Sequence, residues 1–495
     1  MRTTAETDTN DLARGAGVNY LGFATRIAPR ALFLFLAGTL YGEARFGVFT
    51  FGITLVETAA ALALFGMKRS LFKFMSEGRA KGESELPAVA HGIALALTTG
   101  TIVTLAVAAG AYALADLFRL PSAGPALLIL TPAIPLIILS DILLIAIRFT
   151  RQMRFEVLAR SVAEPITLAA ATAAAYALGA RDHGLILAYV TSLVVAAGLS
   201  VLFFLRVFPA WRCLRIPLRR HAMRRLVSFS GPTFGYELMA LATDKVDIFL
   251  VTYFSPAAVV GIYGMARQLS TITKKIRQGF DRILPPVLSD CIASGDMVRA
   301  RDQLAMVARW ILTVQVLILV AFVFYAEAIL GLFGSGFAGG AGILLLLLAS
   351  DAVNGSLGVS ELPIVYLKPG VNLWIGAGML ALVVGMGIWL TGSLGAPGAA
   401  LSVLIAYSLA NAVRIAAVRG LFHFTTVKPG ILKPVVAGLT AFGAMLVWRG
   451  VSGALPPIRD VLGIPVLLAS YLGMLYVLGL EPEDRQQLRR LRRRP

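Results

Sequence analysis

This sequence predicts an all-α polytopic membrane protein of about 14 transmembrane helices, built as two pseudo-symmetric six-helix lobes plus two extra C-terminal helices. Three observations predict it. Hydrophobic residues fill 58% of the 495 positions and charged residues only 15%, the balance of a chain solvated by lipid. Apolar runs long enough to cross a hydrocarbon core of about 30 Å follow one another from residue 17 to residue 480. A segment around residue 42 also recurs 214 residues later.

Breaks rich in Gly, Pro and charge divide the runs. Spans 17–42 and 46–67 are separated at Gly42-Glu43-Ala44-Arg45. Spans 88–117, 124–147, 157–180 and 184–207 follow, cut by Pro121, by the basic stretch Arg148 to Arg154 and by Gly179 to His183. A linker with Pro209 and Pro217 leads to spans 229–254 and 257–275, separated at Ser255-Pro256. Spans 307–333, 340–366, 371–393 and 397–418 come next. Gly334-Ser335-Gly336 and Gly339-Gly340 read as hairpin turns, and Asn354, Gly355 and Pro363 predict an irregular tenth span. Spans 431–451 and 460–480 precede a basic tail.

An even number of spans puts both termini on one side, and Lys and Arg say which. Of 45 such residues, 36 fall in the termini, the even-to-odd loops or the span ends that adjoin them. Five (Arg45, Arg119, Arg181, Arg449, Arg459) fall in the opposite loops or at their edges, and four (Arg26, Arg30, Lys245, Arg267) lie deeper inside spans. This bias predicts a multi-pass membrane protein with both termini in the cytoplasm. Met1 to Asn10 lead into the first span without a cleavage-site pattern, so the N-terminus is expected to stay attached. The net charge of +18 then needs no nucleic acid, because Arg219 to Arg225 and Arg489 to Arg494 lie beside spans, where anionic lipids attract them. Cys213 and Cys291, both expected in the cytoplasm, suggest neither a disulfide framework nor a metal cluster.

Phe35 to Phe49 aligns without gaps on Phe249 to Tyr263, and Gly184-Leu185-Ile186-Leu187 falls on Gly398-Ala399-Ala400-Leu401 at the same offset of 214. Since six helices is an even number, the second unit starts on the same side as the first. The lobes are expected to be related by an axis along the membrane normal, with a cleft between them. The organisation is therefore an N-terminal lobe (1–207), a basic cytoplasmic linker (208–228), a C-terminal lobe (229–418), and helices 13 and 14 with the tail (419–495).

Arg26 and Arg30 stand one turn apart on one face of span 1. Guanidinium groups at membrane depth are costly and are expected to face a protein interior or a wet cavity. Lys245 and Arg267 are further candidate cations. Glu237, Asp244 and Asp247 form a stripe on span 7, and Glu57 lies in span 2. These acids either hold a coupling H+ or Na+ or pair with cations across the lobes. The offset makes Asp244 the counterpart of Arg30, which favours an interlobe pair between them. Lys274, Lys275 and Arg277 read as interfacial anchors. Asp141, Glu164, Asp351 and Glu361 read as groups that cap, kink or cross-link helices.

In several motifs the chain resembles the polysaccharide-exporting branch of the multidrug/oligosaccharidyl-lipid/polysaccharide (MOP) flippase superfamily, the O-antigen and exopolysaccharide-repeat flippases. The motifs are Tyr41 to Phe51, Asp247 to Leu250 leading to Val260 to Ala266, Pro285-Pro286-Val287-Leu288-Ser289, and Gly398 to Leu401. The resemblance implies a V-shaped bundle with alternating access to a central cavity. It implies transfer of an undecaprenyl-diphosphate-linked oligosaccharide from the cytoplasmic to the periplasmic leaflet, for surface polysaccharide or lipopolysaccharide. Such flippases carry basic cavity residues on helices 1, 2, 7 and 8. Arg26, Arg30, Lys245 and Arg267 match on three of these, while helix 2 departs from the pattern by carrying Glu57. Helices 13 and 14 resemble those that flank a lipid-tail groove in the lipid II flippase. Beyond the lipid-linked oligosaccharide and anionic lipids, the implied partners are a polysaccharide polymerase or glycosyltransferases.

Nothing points to catalysis. The four histidines at 91, 183, 221 and 423 have neither HExxH nor triad spacing, and no Gly-Lys-Ser/Thr follows a Gly-rich turn. No cofactor is expected beyond a coupling H+ or Na+. The alternative readings are a cation-coupled multidrug exporter of the same superfamily, against which the four cations weigh, and a non-transporting scaffold of a polysaccharide assembly complex.

Overall fold

The computed structural model describes residues 4–209, 216–281, 284–452, 456–479 and 481, with side chains described from residue 28 onward except 232, 233, 236 and 456–459. Among them the regular structure is helical, without strands. The first helix, α1 (Thr4–Leu64), is two spans joined at Gly42 (φ 74°, ψ 176°), a conformation that glycine adopts without steric cost. After it come α2 (Met67–Ala80), α3 (Leu86–Leu117), α4 (Ala123–Leu130), α5 (Ala133–Phe149) and α6 (Met153–Glu156). A π-helical turn, Val157–Ala163, runs into α7 (Glu164–Ala177), and α8 (Gly184–Val207) closes the N-terminal half. Pro165, which lacks an N–H and crowds the preceding turn, lies just beyond the widened segment.

The C-terminal half begins with α9 (Arg220–Phe254) and α10 (Ala257–Gln278), then α11 (Leu284–Ser294) and α12 (Met297–Leu332). The tenth expected span is irregular as predicted: α13 (Ala341–Leu357) and α14 (Glu361–Leu367) are joined by a 3-10 turn at Gly358–Ser360. Next are α15 (Pro369–Leu394), α16 (Ala396–Phe422), α17 (Leu432–Val451) and α18 (Pro456–Val477). The last two pack on α12 through Val320, Ala437, Met445 and Tyr471. Tyr471 donates its buried hydroxyl to the Thr313 carbonyl at 2.7 Å. Outward-facing apolar groups such as Leu178 (86% exposed) and Trp374 (79%) suit a surface solvated by acyl chains.

Ten described stretches are long and apolar enough to cross a membrane, against 14 expected. The stretch Ala28–Ala80 carries two expected spans joined through Gly42. The fifth, seventh and eighth are helical but polar: Arg160 and Glu164 open the fifth, and α9 and α10 carry Asp244, Lys245, Asp247, Arg267 and Lys274. A count by apolarity passes over helices whose charges are neutralised inside the bundle.

The halves meet where α1 crosses α10. A Cβ on Gly47 would collide with the carbonyl oxygen of Ala257, and one on Gly261 would collide with that of Glu43. Residues 43 and 257, like 47 and 261, are 214 apart. Such reciprocity is what a two-fold axis imposes on a self-complementary contact. Phe46, Phe49, Tyr263 and Phe337 complete a core shared by both halves.

Candidate functional site

A second level of contact between the halves lies at the end of the bundle that carries the basic loops. There Ser70 and Ser230 hydroxyls are 2.7 Å apart, and Arg225 donates to Glu77 at 2.8 Å. The Lys73 ammonium sits 3.7 Å from the ring centre of Phe229, and Phe65 packs at 4.6 Å on Phe234. The candidate cations lie between this level and the glycine crossing.

Arg30, exposed on α1, donates to the side-chain oxygen of Gln268 on α10 at 2.6 Å. Its partner is a neutral amide from the other half. Lys245 of α9 pairs with Glu57 of α1 at 3.1 Å, and Tyr189 donates to the other Glu57 oxygen at 3.3 Å. Arg267 is buried and lies 3.2 Å from Asp244 and 3.5 Å from Asp247. Asp247, fully buried, also accepts from Tyr263 at 2.7 Å. Arg26 lies outside the residues whose side chains are described.

The acidic stripe of α9 is divided among three sets of partners. Glu237 reaches Arg69 of the opposite half at 3.6 Å. Asp244 is held within its own half by Arg267 and by Lys274 at 3.0 Å, and Asp247 by Arg267 and Tyr263. The favoured Arg30–Asp244 pair is therefore corrected. Arg267 and Lys274 approach Asp244 from the adjacent α10, and among the described residues Lys245–Glu57 and Arg69–Glu237 join the halves, with Arg225–Glu77 nearer the basic loops. Lys274 and Arg277 also turn inward instead of anchoring at the interface. Arg277 donates to the carbonyls of Asn354 at 2.9 Å and Gly358 at 3.3 Å, at the irregular turn between α13 and α14.

The remaining buried acids cross-link helices. Asp351 accepts from Thr273 at 3.2 Å, and Glu361 lies 3.5 Å from Arg414 and 3.8 Å from Arg277. Asp141 is shared by Lys68 at 2.8 Å and Arg160 at 2.6 Å. Sequence reasoning missed Gln268, Tyr189 and Arg160 as partners. Arg160 was legible in one respect, since it stands four residues before Glu164 and pairs with it at 3.2 Å. Gln268 and Tyr189 carry no charge signal in an apolar pattern.

Between the halves, then, lie cations whose charge is opposed, but only in part. Lys245 and Arg267 are engaged by carboxylates, whereas Arg30 is held by an amide. In a partly dry cleft, Coulomb interactions outweigh their strength in bulk water. Arg30 can release Gln268 and offer a bidentate fork to an anion without first giving up an ion pair. The Lys245–Glu57 pair joins α9 of one half to α1 of the other.

Residues 13–289 match the family described as Polysaccharide biosynthesis protein. No curated protein matches the chain. Among solved structures, the lipid II flippase MurJ in an inward closed conformation is similar, with a TM-score of 0.72 at 15% identity over 93% of this chain and 98% of that one. A multidrug resistance MATE family transporter of the MOP superfamily, inward-facing, scores 0.68 at 13% identity over 80% of this chain and 97% of that one. An outward-facing MATE family transporter scores 0.56 at 16% identity over 85% and 98%. At these identities the likeness is one of fold.

Proposed function

The chain belongs to the polysaccharide biosynthesis protein family, and on that premise we propose that it is a flippase for an undecaprenyl-diphosphate-linked oligosaccharide. It works by alternating access between its two lobes, moving the substrate from the cytoplasmic to the periplasmic leaflet of a bacterial inner membrane for surface polysaccharide or lipopolysaccharide synthesis. The observation that carries this reading is Arg30, an exposed guanidinium that among the described residues is bonded to neutral Gln268 of the other half. The diphosphate displaces Gln268 from Arg30, then meets Lys245 as the halves part and Glu57 loses its partner. Arg26, one turn away on α1, adds to the same basic face. Arg267, buried, holds the carboxylates of Asp244 and Asp247 together.

A coupling H+ or Na+ acts on Asp244, whose side chain is 48% exposed, and no other cofactor takes part. A polymerase or glycosyltransferases supply and consume the substrate on either side. In cells making a lipid-linked surface polymer, Arg30→Ala should strongly reduce surface polysaccharide at normal protein level, and Arg30→Lys should rescue only in part. Normal polymer with Arg30→Ala would remove the diphosphate from the reading.

A cation-coupled multidrug exporter is the second reading, favoured by the half-exposed Asp244 carboxylate. It predicts lost resistance to cationic compounds in Asp244→Asn, with polysaccharide intact.

A further inference from the structure

Between α1 and α2 the chain turns through two consecutive left-handed residues, Phe65 (φ 44°) and Gly66 (φ 69°, ψ 8°). No proline lies between residues 59 and 75, and apart from Gly66 these residues suit a helix that runs on unbroken. Glycine takes a left-handed backbone without steric cost, whereas a bulky residue there is an outlier. Such outliers persist only where the surroundings over-determine them, and they gather at switch regions.

The surroundings that hold this bend come from the other half. The Phe65 ring packs on Phe234 at 4.6 Å. Ser70 donates to the Gly66 carbonyl at 3.3 Å while its hydroxyl lies 2.7 Å from that of Ser230, both serines being fully buried. Each of the two bent residues is thus tied to the start of α9. The rest of this level of contact also joins α2 to α9, through Arg69 with Glu237, Lys73 with Phe229 and Glu77 with Arg225. The direction of α2, set at Phe65 and Gly66, therefore decides whether the halves meet at the end that carries the basic loops. Arg69 and Arg225 are 60% and 54% exposed, and ion pairs of that kind part readily. Two ties within its own half also seat α2: Lys68 meets Asp141 at 2.8 Å, and fully buried Leu71 lies against Gly92.

We propose that Phe65 and Gly66 form the strained hinge of a gate, in which α2 is the moving element that closes this end of the bundle against α9. Contact with Phe234 and Ser230 holds the left-handed bend. When the halves part, Phe65 leaves its left-handed conformation and α2 turns away, the change at two residues that hinge motion requires. The proposal rests on the alternating access of the reading above and is independent of its substrate.

Distances between spin labels on the purified full chain in lipid nanodiscs test it. The labels go on Ser76→Cys of α2 and Ser228→Cys of α9, both exposed, with Cys213 and Cys291 replaced by Ser. Phe234→Ala and Gly66→Ala should each raise the ratio of long to short distances by about threefold or more. In the Phe234→Ala background no ring is left for residue 65 to pack on. There Phe65→Gly should restore the short distance, because glycine keeps the bend without strain, and Phe65→Ala should not. If residue 65 served only for packing, the Gly and Ala variants would behave alike. That result, or a distance that Phe234→Ala leaves unchanged because the ties to Asp141 and Gly92 fix α2 by themselves, would overturn the hinge. Lipid transfer by a chain whose α2 does not move would retire the hinge and leave the flippase reading standing. An α2 that responds as expected in a chain that transfers no lipid would support the hinge and count against that reading.

Discussion

Gly47 and Gly261, 214 residues apart in sequence, touch backbone to backbone where α1 crosses α10, each lying against the other half's carbonyl four residues before its partner glycine. No side chain fits at either position, so the crossing is set by the absence of Cβ atoms. Gly264 repeats the theme against Thr50, again 214 residues away.

Gly47→Ala and Gly261→Ala should each destabilise the protein by about 1–3 kcal/mol, as overpacked cores do, and by similar amounts because the contact is reciprocal. Gly443→Ala, which meets nothing within 4 Å, is the control and should be neutral or slightly stabilising. Melting midpoints of the purified variants decide this. A tolerated Ala at both crossing positions would mean that the helices do not approach so closely.

Charge reversal tests the link between halves. Lys245→Glu sets two carboxylates together, whereas Lys245→Glu with Glu57→Lys restores the pair in the opposite sense. The double variant should recover yield and transport relative to either single change, with a coupling of about 1–3 kcal/mol in a double-mutant cycle. Additive losses would show that the two residues act independently.

Asp247 and Asp244 share Arg267 but differ in exposure, at 0% and 48%. Asp247→Asn removes the buried carboxylate beside Arg267, leaving it Asp244 alone, and should cost about 3 kcal/mol, the low end of the range for breaking a buried pair. Asp244→Asn should cost clearly less, since water can replace the lost contacts. Equal falls in the melting midpoint would contradict this division.

Much of this fold was legible because membrane solvation acts locally. Gly42 and Pro256 interrupt apolar runs at matching places in the two halves, and the 214-residue offset makes Gly47 and Gly261 equivalent positions, although that they touch was not legible. Partner choice was not legible. Whether Asp244 meets Arg30 or Lys274 depends on the rotation of α9 about its own axis, and a stripe of charges gives the face without saying what it faces. Arg160 was counted with a loop although it begins a span. It lies in the π-helical turn, which no composition pattern reports.

Membrane orientation rests on the Lys and Arg bias. Asp182→Cys and Ser393→Cys, in exposed positions flanking α8 and α16, should react with an impermeant maleimide while the inner membrane is intact. Reaction only after permeabilisation would reverse the orientation.

The most direct test of the central claim is the rate at which purified protein in liposomes moves a fluorescent polyprenyl-diphosphate oligosaccharide between leaflets. The account predicts that Arg30→Ala lowers that rate by about tenfold or more, the loss of one charge-assisted phosphate contact. Arg30→Lys should be intermediate, and Gln268→Ala near wild type or faster. A wild-type rate in Arg30→Ala liposomes with unchanged protein stability would contradict it.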